Sequence, residues 1–301
     1  MAAMPPEKGL SLVVATIGRT EELQRLIESL RTQTAGNFEV IIIDQNSDDR
    51  LAPIVRHGLN AGLAVRHVAE PNANASRARN TGLNQAAYPI VAFPDDDCWY
   101  ERDVIETVLA AFEQDHELEG IVGCWVERPA RDPNSRRLCW RNMQRFEEPE
   151  MSCIQFFFRR DLVRSLGGFD ESLGPPRWFG GGEDSDLVMR LVAQGSKVSY
   201  VPQVRIHHDL RTFADTPGSI RDRWMGARNR ARGMGALCAK HQAPASVLAR
   251  AFFAPILKCF VPPYRRQRIA AHLATSLGRW EGYSRWRSEQ AECDGDRSSA
   301  L

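Results

Sequence analysis

The stretch LSLVVATIGRTEELQRLIESLRTQTAGNFEVIIID, residues 10–44, has the pattern of a complete strand–helix–strand unit. Residues 10–16 are a short apolar run rich in β-branched side chains, which is typical of a buried strand. Between residues 20 and 31, one helical face is apolar: Leu23, Leu26, Ile27 and Leu30. Residues 38–44 form a second apolar run that ends in a carboxylate. A helix between two buried strands predicts a right-handed crossover and parallel strands.

The same alternation continues toward residue 127. We predict further strands at residues 63–70, 89–93 and 120–127. We predict further helices at residues 76–87 and 102–112. Strands separated by helices predict an α/β fold with a mostly parallel sheet flanked by helices. In such sheets ligands bind at the carboxyl ends of the strands, where Thr16, Asp44 and the run Asp95–Asp97 fall.

The run Asp95–Asp97 follows the strand IVAF directly. Three adjacent carboxylates repel one another, so a fold tolerates them best where a cation or a polar ligand neutralises them. Mg²⁺ and Mn²⁺ prefer such hard oxygen ligands, commonly together with substrate phosphates. The simpler interpretation is a solvated acidic turn that caps the next helix.

A second acidic segment, Glu183-Asp184, follows the glycine run 180–182 and begins a helix predicted at residues 184–194. A flexible glycine run would deliver both acids to a helix N-terminus, where the macrodipole stabilises carboxylates. An ionised Asp184 can accept a proton from an attacking hydroxyl. Ordinary N-capping by Asp184 or Ser185 is the alternative.

Asp44 can accept hydrogen bonds from a base or a ribose, as acidic residues at this place in doubly wound sheets often do. A nicotinamide-binding domain is therefore a rival interpretation. The loop 15–20, ATIGRT, lacks the GxGxxG pattern that such a domain needs to bind pyrophosphate.

The order of several segments resembles glycosyltransferase family 2, a group of inverting enzymes with the GT-A fold. The segments are LVVATIGRTEELQRLIESLRTQT, VIIIDQNSDD, ASRARNTGLNQA, IVAFPDDD, GGFDESL and GGGEDSDLVMRL. They run from Leu10 to about His208, which is roughly two thirds of the chain. Each segment alone is weakly specific, whereas their joint order and spacing are specific.

The resemblance implies a role for each matching residue. Thr16 and Asp44 would line the nucleoside pocket, and Arg79 would lie near the base or the phosphates. Asp95 and Asp96 would contact ribose or metal-bound water. The metal would be Mg²⁺ or Mn²⁺, with Asp97 as its principal protein ligand. In the acidic pair matching the family's ED motif, Asp184 would be the general base, with Glu183 orienting it or touching the acceptor.

The paired histidines His207 and His208 resemble a position where some GT-A enzymes complete the metal shell. A neutral imidazole can bind Mn²⁺, and of the two residues His207 is the preferred ligand. A hydrogen-bonded or surface pair without a metal is an equally good interpretation.

The domain organisation expected from these patterns is a catalytic domain at residues 9–210. Its nucleotide-sugar-binding part spans 9–127 and its acceptor-binding part 128–210. A helical extension follows at 211–290, and a disordered tail at 291–301. The extension is rich in arginine and has an apolar set around residues 252–261. It either packs on the catalytic domain or a partner subunit, or rests on anionic lipid as a peripheral membrane contact.

Composition excludes other classes. A formal net charge of +1 argues against a nucleic-acid binder, so we expect no nucleic-acid partner. Seven scattered cysteines favour reduced thiols, and no signal-like segment or membrane span is apparent, which together predict a cytoplasmic protein. The expected partners are a nucleoside diphosphate sugar, with UDP favoured, and a glycan or lipid-linked acceptor of polysaccharide biosynthesis.

Two other classes stay open. An inactive nucleotide-sugar-binding scaffold would keep this fold, although the intact acidic segments speak against it. A nucleotidyltransferase would need a phosphate loop rich in glycine and lysine. Under the preferred interpretation, carboxylates far apart in the sequence meet in one crevice.

Overall fold

The computed structural model describes residues 8–130, 132–148, 151–210, 219–262 and 265–299. The chain divides into two compact units. The sheet unit contains residues up to 140 together with 148–169 and 190–210. The helical unit contains residues 141–147, 170–189 and 211 onward. Segments 141–147 and 170–189 therefore group with the C-terminal helices. The sequence pattern had instead placed both segments in the acceptor-binding part of the catalytic domain.

Within the described residues, the strands of the sheet unit form one sheet. They are β1 Leu10–Thr16, β2 Phe38–Asp44, β3 Val65–Ala69, β4 Ile90–Ala92, β5 Cys98–Tyr100, β6 Gly120–Trp125, β7 Arg136–Arg137, β8 Phe156–Arg159 and β9 Val198–His208. Their order is β3-β2-β1-β4-β8-β6-β9-β5, and β7 pairs with β9.

The helices are α1 Glu21–Arg31, α2 Ala52–Asn60, α3 Ala75–Gln85, α4 Val104–Gln114, α5 Trp140–Arg145, α6 Arg160–Ser165, α7 Glu183–Ala193, α8 Ile220–Lys240, α9 Ala245–Lys258 and α10 Arg266–Ser299. The α/β class with C-terminal helices is confirmed. The four strands β1 to β4 are parallel, as expected, whereas β8 runs antiparallel to both β4 and β6. The complete sheet is therefore mixed.

The first strand–helix–strand unit sets the site edge of the sheet. The four apolar residues of α1 are all buried, which fixes that helix on the sheet. Strands β1 and β2 pair in register from Leu10 opposite Phe38 to Thr16 opposite Asp44. Because the two strands end together, the side chains of Thr16 and Asp44 lie side by side at the carboxyl edge.

The helical unit has its own core, in which Phe179 and Leu237 pack with Trp286. Helices α8 and α10 cross closely because glycines line the crossing. A Cβ atom at Gly235 would overlap the carbonyl oxygen of Arg279, and one at Gly282 would overlap that of Arg232. Only a residue without a side chain permits such an approach.

Two features of the C-terminal helices differ from what the sequence suggests. Helix α9 continues through Pro255, although a proline commonly ends a helix. Proline removes the hydrogen bond to the carbonyl four residues earlier. Here that carbonyl, of Ala251, accepts instead from Arg279 Nη1 at 2.7 Å. The tail expected to be disordered from residue 291 is helical through Ser299.

The segment 130–149, for which the sequence pattern predicts no strand or helix, contains β7 and α5 among its described residues. Every helix in the described part of the chain is too short or too polar to serve as a membrane span.

Candidate functional site

The acidic run lies at the carboxyl edge of the sheet, immediately after β4. Asp95 forms a parallel bridge with Ala15 at the end of β1. Asp96 and Asp97 are each only 5% exposed, whereas Asp95 is about a third exposed through its side chain. The run is therefore not the solvated acidic turn of the simpler interpretation. Two of its three carboxylates are buried charges that require partners.

Two arginines supply part of that compensation. Arg19, in the loop after β1, pairs with Asp96 and lies 2.8 Å from Asp97 Oδ2 through its Nη1. Arg79 on α3 donates to Asp95 Oδ1 at 2.8 Å. Burial raises the pKa of Asp96, against the lowering effects of Thr16 and Arg19. Burial therefore disfavours the ionised form of Asp96 within this cluster.

A histidine completes the cluster. His208 Nε2, at the end of β9, lies 3.0 Å from Asp97 Oδ1. Burial lowers the pKa of His208, but Asp97, Asp95 and a backbone contact at Asp209 together raise it more, so the net shift is upward. One ligand atom each from Asp95, Asp97 and His208 can be chosen so that all lie within 4.8 Å of one another. This spacing is compatible with one central cation.

The structure places His208, rather than the preferred His207, beside Asp97. The Nδ1 atom of His207 lies 2.8 Å from Glu127 and its Nε2 atom 3.1 Å from Glu101. Its ring stacks on Trp99 with a centroid distance of 5.2 Å. Successive side chains of a strand point to opposite faces, so one histidine of the pair faces Asp97 and the other faces away.

The donor set fits a divalent metal. Two carboxylates and one imidazole match Mn²⁺, and carboxylates alone suit Mg²⁺. The surplus negative charge of the partly buried run is a second point of agreement, because a cation would relieve it. Asp95, Asp97 and His208 are the residues that would hold it.

The predicted nucleoside residues lie next to this cluster. Thr16 and Asp44 are 1% and 4% exposed. Asp44 Oδ1 accepts from Asn46, and its Oδ2 lies 2.8 Å from His67 Nε2. The backbone amide of Gly18 donates to Asn46 Oδ1 at 2.7 Å, which joins the loop after β1 to the end of β2.

The second acidic segment lies in the helical unit, in the first turn of α7. The amide of Asp186 donates to Gly182 O at 2.9 Å, so Gly182 rather than Asp184 holds the N-cap position. Glu183 is 7% exposed and Asp184 is half-buried. Asp184 is the second residue of α7, a position at which the helix macrodipole stabilises a carboxylate.

The glycine run before α7 serves packing rather than flexibility. A Cβ at Gly233 of α8 would overlap the carbonyl oxygen of Gly181. A Cβ at Gly180 would come within 2.9 Å of the backbone oxygen of Asn229, and Gly182 has a positive φ of 97°. The run is pressed against α8, which fixes the start of α7 in place.

A buried charge network continues from that turn. Asp186 is fully buried and lies 2.8 Å from both Lys240 Nζ and His241 Nε2. Lys240 also lies 2.6 Å from Asp170 Oδ2. The end of α8 and the start of α7 are thereby joined through charge-assisted contacts.

Sequence reasoning missed the contact of Arg19 with the acidic run and the position of His208 beside Asp97. The only feature of the sequence that could have indicated this contact of Arg19 is its position, because the loop after β1 lies at the same edge of the sheet as the acidic run. The signal for His208 lies in strand pairing, since Cys98, one residue beyond Asp97, pairs with His208.

The strand order of the sheet, with an acidic run and a histidine at its carboxyl edge, defines the GT-A class of fold. A mannosyltransferase from Pyrobaculum calidifontis, solved in complex with GDP-Man and Mn²⁺, superimposes with a TM-score of 0.63 at 18% identity. The match covers 92% of this chain and 88% of that one. S. aureus TarS 1-349, in complex with UDP-GlcNAc, gives 0.59 at 16% identity over 92% of both chains.

The chain belongs to glycosyl transferase family 2, whose family model matches residues 11–167. An uncharacterized glycosyltransferase from Haemophilus influenzae is 34% identical over 203 residues, which cover 64% of each chain. The chain spans 14 to 64% of the lengths of three curated relatives that it matches.

Proposed function

We propose that the protein transfers a sugar from a nucleoside diphosphate sugar to an acceptor hydroxyl, with inversion at the anomeric carbon. The observation that carries this proposal is the convergence of Asp95, Asp97 and His208 beside the ends of β1 and β2. Two proteins with the same fold were solved in complex with GDP-Man and Mn²⁺ and with UDP-GlcNAc, which supports a nucleotide-sugar donor. We favour UDP as the nucleotide.

In this proposal, Thr16 and Asp44 bind the nucleoside, with Asp44 facing the base. Asp95, Asp97 and His208 hold Mg²⁺ or Mn²⁺, and Asp96 contacts ribose or metal-bound water. The bound cation would neutralise the charge that develops on the leaving diphosphate.

Arg19 and Arg79 have a further part in donor binding. Both guanidinium groups pair with the carboxylates that would hold the cation. A guanidinium and a divalent cation would compete for these carboxylates, so a loaded site would weaken the contact of Arg19 with Asp97 and leave its contact with Asp96. We propose that Arg19, on an edge loop, then pairs with the donor diphosphate, because guanidinium groups match phosphate oxygens. Arg79 is 6% exposed and would stay near the base or phosphates.

Asp184 is the proposed general base, and Glu183 orients it or touches the acceptor. Asp184 would take the proton of the acceptor hydroxyl while that oxygen attacks the anomeric carbon opposite the departing diphosphate. One displacement of this kind inverts the stereochemistry. The acceptor is proposed to be a glycan or a lipid-linked glycan of polysaccharide biosynthesis, in the cytoplasm.

Asp184→Asn tests the assignment. Asparagine keeps the size of the side chain but cannot accept the proton, so transfer should fall about 10²- to 10⁴-fold while donor binding is retained. A panel of nucleotide sugars, tested first for hydrolysis in Mn²⁺, identifies the donor, and single-turnover transfer then gives the rate. Ser185→Ala, in the same helical turn, is the matched control and should keep the rate. Wild-type transfer by Asp184→Asn would refute the role of this residue.

A further inference from the structure

Large apolar side chains are exposed together on α9, on the turn after it and on α10. Phe253, Leu257 and Phe260 are 61%, 65% and 72% exposed, and Trp280 is 58% exposed. Val261, Leu273 and Leu277 are also exposed. Seven of the twelve large exposed apolar side chains found among the described residues belong to this group. Such concentration differs from the single exposed apolar residues that any surface carries.

The group forms two stripes on adjoining helices. Phe253 and Leu257 share one face of α9 because they are four residues apart, and Phe260 and Val261 lie in the turn that follows. Residues 273, 277 and 280 recur at helical spacing on α10. The helices pack together: Ser276 Oγ donates to Phe252 O at 2.7 Å, and the rings of Phe252 and Trp280 lie 5.7 Å apart. We call this surface the α9–α10 face.

The sequence that carries this face is basic. The forty residues from His241 to Trp280 contain no aspartate or glutamate. They contain six arginine or lysine residues: Arg250, Lys258, Arg265, Arg266, Arg268 and Arg279. The whole chain has a formal net charge of only +1, so the positive charge here is a local concentration.

A cavity of about 470 Å³ opens between α8, α9 and α10. Its apolar lining includes Met234 and Val247, and its polar lining includes Arg250, Lys258 and His272. Burial and the nearby Arg268 and Lys258 lower the pKa of His272. Arg250 and Lys258 make the lining basic, and the cavity combines apolar walls with donors suited to phosphate oxygens.

We propose that the α9–α10 face docks on the surface of an anionic phospholipid bilayer. The apolar stripes would enter the boundary between headgroups and acyl chains, and the surrounding cations would pair with lipid phosphates. Trp280 suits this depth, since tryptophan is enriched at membrane interfaces. A second copy of the chain is a poorer occupant, because a two-fold contact would bring the same cations face to face.

Sedimentation of the full chain with lipid vesicles tests this proposal without any sugar donor. We expect binding to vesicles that contain phosphatidylglycerol, weak binding to pure phosphatidylcholine vesicles, and release by high salt. Leu257→Ser should weaken binding, whereas Leu59→Ser, a leucine that is 51% exposed on α2, should not. Arg265→Glu combined with Arg266→Glu should weaken binding at least about 25-fold, or about fivefold for each charge removed. Arg56→Glu on α2 is the control for this pair.

Several outcomes would overturn the proposal. Equal binding to both kinds of vesicle would show that the face does not require anionic lipid. If the protein bound neither kind of vesicle, membrane docking would be refuted. A concentration-dependent dimer that Leu257→Ser dissociates, without vesicle binding, would assign the face to a second copy. Because the assay needs no turnover, its failure leaves the transfer reaction untouched.

Discussion

The two acidic segments of the chain are similar in composition but are held in different ways. In the sheet unit, Asp95–Asp97 are paired with the side chains of Arg19, Arg79 and His208. In the helical unit, Glu183 and Asp184 begin a helix whose preceding glycines pack backbone against backbone on α8. The first arrangement depends on long side chains that can change partners, and the second on a close fit that cannot adjust.

The difference corresponds to the two proposed tasks. A site that must admit a cation and a diphosphate, and later release them, benefits from partners that can be exchanged. A general base must instead lie within about 3 Å of one proton at the moment of transfer. We therefore expect side-chain substitutions near Asp97 to change ligand affinity, and backbone substitutions near Asp184 to change stability and turnover.

The largest effect is expected for Gly233→Ala. The new Cβ would overlap the carbonyl oxygen of Gly181, so α8 or the glycine run must move. We expect a loss of about 3 kcal/mol in the free energy of unfolding, because overpacking outweighs the better helix propensity of alanine. Urea denaturation measures this loss, and kcat should fall while donor affinity is retained.

Gly226→Ala is the matched control in the same helix. A Cβ at Gly226 would meet only the guanidinium end of Arg230, at 3.7 Å or more. This variant should be neutral or gain up to about 1 kcal/mol. Equal stabilities and equal kcat values for the two variants would show that the contact with Gly181 does not hold the start of α7.

The predictable parts of the fold and the site were those set by local pattern. The bounds of β1 and β2 follow from apolar runs, and the buried face of α1 follows from its spacing. Helix α2 was missed because only Ile54 and Gly58 of its nine residues are buried, so its periodicity is weak.

Long-range pairing set the features that could not be predicted. The choice between His207 and His208 depends on the register between β5 and β9, which no local signal reveals. The contact of Arg19 with Asp97 joins residues 78 positions apart. The packing of the glycine run depends on α8, more than forty residues later. That Asp97 and Asp184 serve one substrate stays a prediction.

The next largest effect concerns the acidic run Asp95–Asp97, whose side-chain partners can be exchanged. His208→Ala removes one of the three proposed metal ligands, whereas His207→Ala removes a residue that pairs with Glu127 and Glu101. We expect His208→Ala to weaken Mn²⁺ binding at least about tenfold, a minimum based on the effect of losing an outer-shell partner. Electron paramagnetic resonance of free Mn²⁺ during titration measures this change directly. His207→Ala should leave the affinity unchanged, and the reverse order would restore the original preference.

The smallest effect tests the charge network of the helical unit. Burial would raise the pKa of Asp170, but contacts with Lys240 and Ser172 lower it below its ordinary value overall. A carboxyl whose pKa is lower in the folded state stabilises the fold above its unfolded pKa, near 4, and loses this contribution as the pH falls through the folded pKa. Asp170→Asn should therefore cost about 1 kcal/mol at pH 7 and make the acid side of the stability profile shallower.

Asp161→Asn is a control whose carboxylate is 79% exposed, so its ion pair with Arg160 should be largely screened by salt. Parallel urea titrations from neutral to acid pH would detect the difference. Profiles of the wild type and Asp170→Asn that keep a constant separation down to acid pH would mean that Asp170 supports the unit through packing rather than through its charge.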